Sequence, residues 1–217
     1  MKSFVGLSSD KTAPNAVARA RKENTLTLNI SRRFGKTSLS VLLLISLCIR
    51  NPKHTYYFVA PTQGDAEDIV DDVSPVLLED CPKELRPKYK GGVFSFNNGS
   101  RIKIGGTFNG AEGLRGRSAN GIIVDEAAHI PQHSKTSCLS YVLGSILTPQ
   151  LMTTKGFLII ASTPPRNLQH DYVHIIRDAQ YKGTLLTFDV YANTSLTAEE
   201  IENEKQRSYA IDPTGSA

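Results

Sequence analysis

No part of the chain is apolar for long. The longest run, Val41 to Ile45 with Leu47 to Ile49 beyond Ser46, falls far short of a bilayer span. Met1 to Asp10 has no apolar core of signal-peptide length, so neither a membrane nor export is expected. Cysteine is scarce. Cys48, Cys81 and Cys138 are odd in number and far apart, which argues against a disulfide framework or a zinc-ligand spacing and fits a reducing cytoplasm. No Ser/His or Cys/His arrangement suggests nucleophilic catalysis, and there is no internal repeat or long low-complexity segment. What is present is ordinary globular composition, 40% hydrophobic and 21% charged, over 217 residues. That length suits one substantial α/β domain and is small for two.

The net charge of +4 is mild, but the charges are segregated. Asp65 to Asp80 carries seven acids and no base, whereas Lys83, Arg86, Lys88, Lys90, Arg101 and Lys103 face Glu84 alone. Such a basic stretch fits either a phosphate-tracking face or a solvated surface.

Residues 1–23 read as a polar arm. Thr25 to Ile30 reads as a strand and Lys36 to Ile49 as an apolar helix stopped near Asn51-Pro52. Thr55 to Ala60 is a buried strand, and Ala66 to Leu78 a helix disturbed at Pro75. Asn97-Asn-Gly-Ser100 between alternating runs predicts a β-hairpin, inserted on the general plan. Gly121 to Val124, Gly156 to Ala161 and Thr184 to Val190 read as strands, Leu168 to Ala179 and Ala198 to Arg207 as helices. Strands alternating with helices predict a mainly parallel sheet covered on both faces.

The sharpest signal is Ser31-Arg-Arg-Phe-Gly-Lys-Thr37, between a strand and a helix. A phosphate loop belongs there, because backbone N–H groups and the helix N-terminus then face the anion. Gly35 lets the backbone come close, Lys36 reaches phosphate oxygens, and the Thr37 hydroxyl suits Mg²⁺. Arg32, Arg33, Phe34 and Ser38 complete the expected nucleotide-binding set. Position 30 holds Ile30 where the phosphate-loop consensus has glycine.

Gly121-Ile-Ile-Val-Asp-Glu126 ends an apolar strand in two carboxylates. Asp125 suits the Mg²⁺ shell, and Glu126 suits orientation and polarisation of an attacking water. Gly156-Phe-Leu-Ile-Ile-Ala-Ser-Thr-Pro-Pro165 repeats the design, placing Ser162 and Thr163 where they could sense the γ-phosphate or simply form a turn. Arg115, between Gly113 and Gly116, is the first candidate for neutralising charge on the transferring group and Arg117 the second; a DNA-contacting or solvent-exposed role is open for both. His129 is close enough to the acidic pair to report on hydrolysis, though a packed or surface histidine is the simpler reading. Phe94, Phe96 and Phe108 could stack on bases or pack.

Taken in order, these segments resemble phage large terminases over roughly residues 25–165. Ser31 to Thr37 resembles their deviant Walker A motif, with arginine inside the loop. Val124-Asp-Glu-Ala-Ala128 resembles their Walker B motif, Phe96 to Ile102 the preceding hairpin, Leu114-Arg-Gly116 the arginine motif, and Ala161-Ser-Thr-Pro164 the coupling motif. The resemblance implies a RecA-like P-loop NTPase of the ASCE type, with the coupling strand between the two Walker strands. It implies ATP and Mg²⁺ as cofactors and double-stranded DNA as the translocated partner. It further implies a homo-oligomeric ring docked on a portal, a small terminase subunit, and the cytoplasm of an infected host cell. In that family a nuclease domain follows; nothing here matches it, so a single ATPase domain over 1–217 is expected. No glutamine-type adenine motif is found between Asn15 and Asn24. A helicase-type translocase and a non-enzymatic nucleotide-binding assembly module are the alternative readings.

Overall fold

The computed structural model describes residues 12–79, 81–107, 112–115, 118–165, 167–193 and 196–211. Residues 1–11 of the expected arm, Phe108, Gly116 and Arg117 lie outside the described residues.

Eight strands form one sheet: β1 (Thr25–Ile30), β2 (Thr55–Ala60), β3 (Lys88–Lys90), β4 (Val93–Ser95), β5 (Arg101–Gly106), β6 (Gly121–Val124), β7 (Phe157–Ser162) and β8 (Leu185–Phe188). Their order is β3-β4-β5-β2-β6-β7-β1-β8. From β5 to β8 the pairing is parallel throughout; β3 and β4 are antiparallel additions at one edge. The predicted hairpin is therefore no separate insertion. Its second strand, β5, pairs with β2 from Thr55↔Arg101 to Ala60↔Gly106 and belongs to the central sheet.

The helices are α1 (Thr12–Glu23), α2 (Lys36–Arg50), α3 (Gln63–Asp68), α4 (Ser74–Leu78), α5 (Leu139–Tyr141), α6 (Thr148–Met152), α7 (Asp171–Lys182) and α8 (Ala198–Ile211). Strand alternation sends buried residues to two cores. Tyr56, Phe58, Ile102, Ile104 and Ile123 pack under α2 and α3. Tyr57, Val59, Ile122, Val124, Leu158 and Ile160 pack under α5, α6 and Tyr172 of α7.

Four sequence expectations are corrected. The supposed arm contains α1, whose Ala16 and Ala20 are buried one turn apart. The helix expected from Leu168 begins at Asp171, where His170 caps it by accepting from Tyr172 N–H at 3.0 Å, and it ends against Gly183. The strand expected through Val190 stops at Phe188, because Asp189 caps a 3₁₀ turn at Val190–Ala192. The helical stretch α5–α6 has no counterpart among the expected elements; it is joined by a π turn, Val142–Leu147, just before Thr148-Pro149.

The same device joins α3 to α4: a π turn, Ile69–Val73, precedes Ser74-Pro75. Proline has no N–H and crowds the carbonyl four residues back, so a wider turn lets the helix continue. Ser74 gives both its N–H and its hydroxyl to the Ile69 carbonyl, the latter at 2.6 Å. The start of α3 is fixed by a reciprocal Thr62–Asp65 capping box. It lies so close to β5 that a Cβ on Gly106 would sit 2.2 Å from the Gln63 nitrogen.

Candidate nucleotide site

β1, β6 and β7 end side by side, and each runs into a segment that sequence reasoning singled out. β7 lies between β1 and β6. The chain leaves β1 at Ser31, whose N–H is held by the Phe188 carbonyl of β8 at 2.9 Å. It then turns back through two left-handed residues, Arg33 (φ 63°) and Gly35 (φ 70°), and starts α2. Arg32 and Arg33 are exposed, and Phe34 packs against Phe188 with ring centroids 6.2 Å apart. The Arg33 carbonyl is held from outside the loop by Asn193 Nδ2 at 3.2 Å, a contact no local pattern announces.

The first turn of α2 has no side-chain cap. Its amides are thus left to an anion at the positive end of the helix. Around it the chain leaves room: nothing lies within 4 Å of a Cβ built on Gly35, and Ser31 Oγ is buried without a hydrogen-bond partner. Ser38 follows on the same turn and is exposed.

Lys36 and Thr37 point to the acidic pair. The Thr37 hydroxyl donates to Asp125 Oδ2 at 2.5 Å across 88 residues of chain. Lys36, only 8% exposed, gives Nζ to the Ser31 carbonyl at 3.2 Å and stands 3.9 Å from Glu126 Oε1. Burial holds the Lys36 pKa below its ordinary value even though Glu126 and Asp125 oppose the shift. Asp125 is 3% exposed, and burial raises its pKa against the Thr37 hydrogen bond. A buried, poorly solvated carboxylate beside a hydroxyl is a pair of hard oxygen donors suited to Mg²⁺.

Glu126 is left-handed at φ 47°. A non-glycine residue held there costs on the order of 1–3 kcal/mol, which the surrounding bonds must offset. Its N–H returns to Asp125 Oδ1 at 3.0 Å. Burial raises the pKa of its carboxyl, but the His129 hydrogen bond and the Lys36 charge outweigh that and leave it lowered. Ser162 is fully buried, and its Oγ accepts from Ala128 N–H at 3.0 Å. Thr163 Oγ1 donates to Glu126 Oε2 at 3.4 Å. Both hydroxyls of the β7 end thus touch the segment that follows β6. Tyr172 lies behind them, its hydroxyl donating to the Leu28 carbonyl at 2.9 Å; burial and the two nearby carboxylates raise its pKa.

Arg115 is not gathered into this cluster by these contacts. It is exposed, with Nη2 donating to Tyr141 Oη at 2.7 Å and its guanidinium over the Tyr141 ring. Phe94 and Phe96 are core residues, 5% and 6% exposed, which excludes them from stacking on bases. Among the described residues no group of three metal-ligating His, Cys, Asp or Glu side chains exists.

A tight turn bearing Lys36 and Thr37 after β1, an acidic pair after β6 and a hydroxyl pair at the end of the strand between them, all on a mainly parallel sheet, have the layout of a RecA-like fold. The sequence narrows this further. Residues 27–214 match the family described as "Terminase large subunit, T4likevirus-type, N-terminal", and the chain belongs to that family. Among solved structures it is similar to the large terminase of bacteriophage HK97 (TM-score 0.71, 16% identity, 97% of this chain and 49% of that one). It is also similar to the large terminase of a thermophilic bacteriophage in complex with ADP (TM-score 0.65, 16% identity, 91% and 50%). The large terminase ATPase domain of Thermus phage P74-26 is a third (TM-score 0.57, 18% identity, 90% and 85%). The chain spans about half the length of the HK97 protein and of the ADP-bound terminase. No curated protein sequence matches the chain.

Proposed function

We propose that this chain hydrolyses ATP with Mg²⁺ and that the hydrolysis drives viral double-stranded DNA into a procapsid. The observation that carries the reading is the convergence of Lys36, Thr37, Asp125 and Glu126, from two distant segments, on one sheet edge. The thermophilic-phage terminase, a structural neighbour, was solved with ADP, which supports nucleotide binding by this fold.

In this reading the α2 N-terminus and Lys36 bind the β- and γ-phosphates, and Thr37 with Asp125 would hold Mg²⁺. The bound ion would neutralise phosphate charge. Glu126 Oε1 orients the water and takes its proton as the water oxygen attacks the γ-phosphorus. The bond from that phosphorus to the β–γ bridging oxygen breaks, and ADP and phosphate leave. Arg115 adds positive charge to the transferring group, supplied by a neighbouring copy in a ring. Ser162 and Thr163, bonded to the segment that carries Glu126, pass on the loss of phosphate. Small terminase subunit, portal and infected-cell cytoplasm complete the proposal; among the described residues no helix is long and apolar enough to cross a membrane.

DNA contact is supported by the hairpin end of the sheet. Pairing places Lys88, Ser95 and Arg101 in one row and Lys90, Val93 and Lys103 in the next, on the same face. Lys88, Lys90 and Arg101 are exposed. Residues two apart on a strand are separated by about 7 Å and neighbouring strands by about 5 Å, so the face presents a grid of cations to a phosphate backbone.

The test is nucleotide binding and phosphate release by the chain with and without Mg²⁺ and duplex DNA. Mg²⁺-dependent release is expected. Tight ATP binding with no release under any of these conditions would instead identify a nucleotide-binding assembly module.

A further inference from the structure

After Val124 the chain leaves the sheet, turns left-handed at Glu126, and closes a 3₁₀ turn over Ala127–His129. The His129 N–H bonds the Glu126 carbonyl at 2.8 Å. That closure folds the imidazole back over the Glu126 carboxylate, with Nδ1 3.2 Å from Oε2. The same oxygen receives Thr163 Oγ1 at 3.4 Å, whereas Oε1 faces Lys36 Nζ at 3.9 Å. The two oxygens are therefore divided: Oε2 is tied to the protein, and Oε1 is turned to the phosphate-binding lysine.

The turn carrying the imidazole is fixed on both sides. Ala127 is fully buried, the Ala128 N–H is held by Ser162 Oγ at 3.0 Å, and the Ile130 carbonyl lies 2.9 Å from Nε2 of buried His170. The His129 side chain itself is 44% exposed and adds little to the core. A rigid turn thus presents a solvent-accessible imidazole to one carboxylate. Glutamate has three rotatable side-chain bonds, and the Glu126 side chain is 36% exposed, so its carboxylate needs external anchors to keep one orientation.

We propose that His129 is a positioning residue for Glu126. Its Nδ1–H donates to Oε2 and sets the plane of the carboxylate, so that Oε1 stays aimed at the attacking water. The inference rests on the reading of Glu126 as the base. His129 touches no reacting atom; it acts through the carboxylate, as groups that orient a catalytic base do. A displacement of about 1 Å in a reacting group can cost roughly 10²-fold in rate, so losing one of two anchors should cost roughly tenfold.

The experiment is steady-state ATP hydrolysis by the 217-residue chain, with nucleotide affinity and Tm measured alongside. His129→Ala should lower kcat roughly tenfold and leave KM, nucleotide Kd and Tm near wild type. His129→Asn, whose Nδ2–H can take the place of Nδ1–H, should recover most of the loss. In a Glu126→Gln background, His129→Ala should cost nothing further, because the two residues act as one unit. The proposal is overturned if His129→Ala keeps kcat within twofold, if Asn and Ala lose equally, or if the loss adds in full to that of Glu126→Gln. A His129→Ala protein whose Tm falls while kcat per folded molecule holds would assign the residue to stability instead. A wild type without turnover removes the reading of Glu126 and this proposal with it; an active wild type with an indifferent His129 removes only the latter.

Discussion

The edge where β1, β6 and β7 end and the hairpin end of the same sheet use charge in opposite ways. At the first, Lys36 and Asp125 are nearly inaccessible, their pKa values are displaced by burial, and the segments that carry them turn through three left-handed residues, Arg33, Gly35 and Glu126. At the second, Lys88, Lys90 and Arg101 lie exposed on paired strands. Buried charge gains strong, directional interactions at the expense of desolvation, whereas exposed charge gives long-range, salt-screened attraction. In the proposed reading, the first arrangement suits chemistry at a point and the second suits contact over a surface. Substitutions should separate the two.

The largest effect is expected from Glu126→Gln. Phosphate release should fall by roughly 10²–10⁴, while nucleotide affinity and binding of duplex DNA stay near wild type. Turnover comparable to wild type would show that another group is the base and would erase the contrast. Next in size is Lys88→Glu combined with Lys90→Glu. Removing two phosphate contacts should lower the slope of log K against log salt for duplex DNA by about 2, with phosphate release in the absence of DNA unchanged. An unchanged slope means the basic face serves something other than DNA.

Ser100→Ala should act on stability alone. Ser100 is fully buried at the hairpin turn, and its hydroxyl reaches the Cys48 carbonyl of α2 at 2.8 Å. That carbonyl keeps a second partner, Asn98 Nδ2 at 2.8 Å, so the loss should be that of one hydrogen bond, about 0.5–1.5 kcal/mol, read from urea unfolding, with kcat per folded molecule intact. The smallest effect is that of Asp125→Asn on the stability of nucleotide-free protein. Because burial raises the Asp125 pKa on folding, the folded state binds more protons there than the unfolded state. Its contribution is favourable at low pH and is lost as pH rises through the folded value. Asn should therefore raise Tm slightly at neutral pH; a lower Tm would mean that the Thr37 hydrogen bond outweighs desolvation.

Much of this was legible. Thr55–Ala60, Gly121–Val124 and the Asn-Gly turn name their own structures, because strands buried on both faces leave short unbroken apolar runs and hairpin turns leave a glycine signal. Lys36, Thr37, Asp125 and Glu126 could be set together because residues that end parallel strands share an edge. The α5–α6 stretch escapes such reading although Leu139, Val142, Leu143, Ile146, Leu147 and Leu151 recur at helical spacing. Gly144 and Pro149 read as breaks, and the π turn that absorbs the proline leaves no composition signal. Among the residues of α1 whose burial is described, Ala16 and Ala20 are the buried ones, too small to make an apolar stripe. Asn193 reaching Arg33 joins residues 160 apart, and local patterns carry no information about such pairs.

β5 belongs both to the hairpin and to the central sheet, and this gives the domain a mechanical grain. It is matched to β2 over six residue pairs in parallel register, so tension applied to β5 along the strand loads that whole ladder in shear, many hydrogen bonds at once. β3 meets β4 through three pairs only, and a pull across that outer strand opens them one after another, like a zipper. Load arriving lengthwise on the hairpin is carried stiffly into β2 and on to β6, the strand that Asp125 follows. Load arriving sideways is spent at the rim. A domain that draws on a polymer would then be rigid along one axis and yielding along the other, with the stiff axis running through its chemistry.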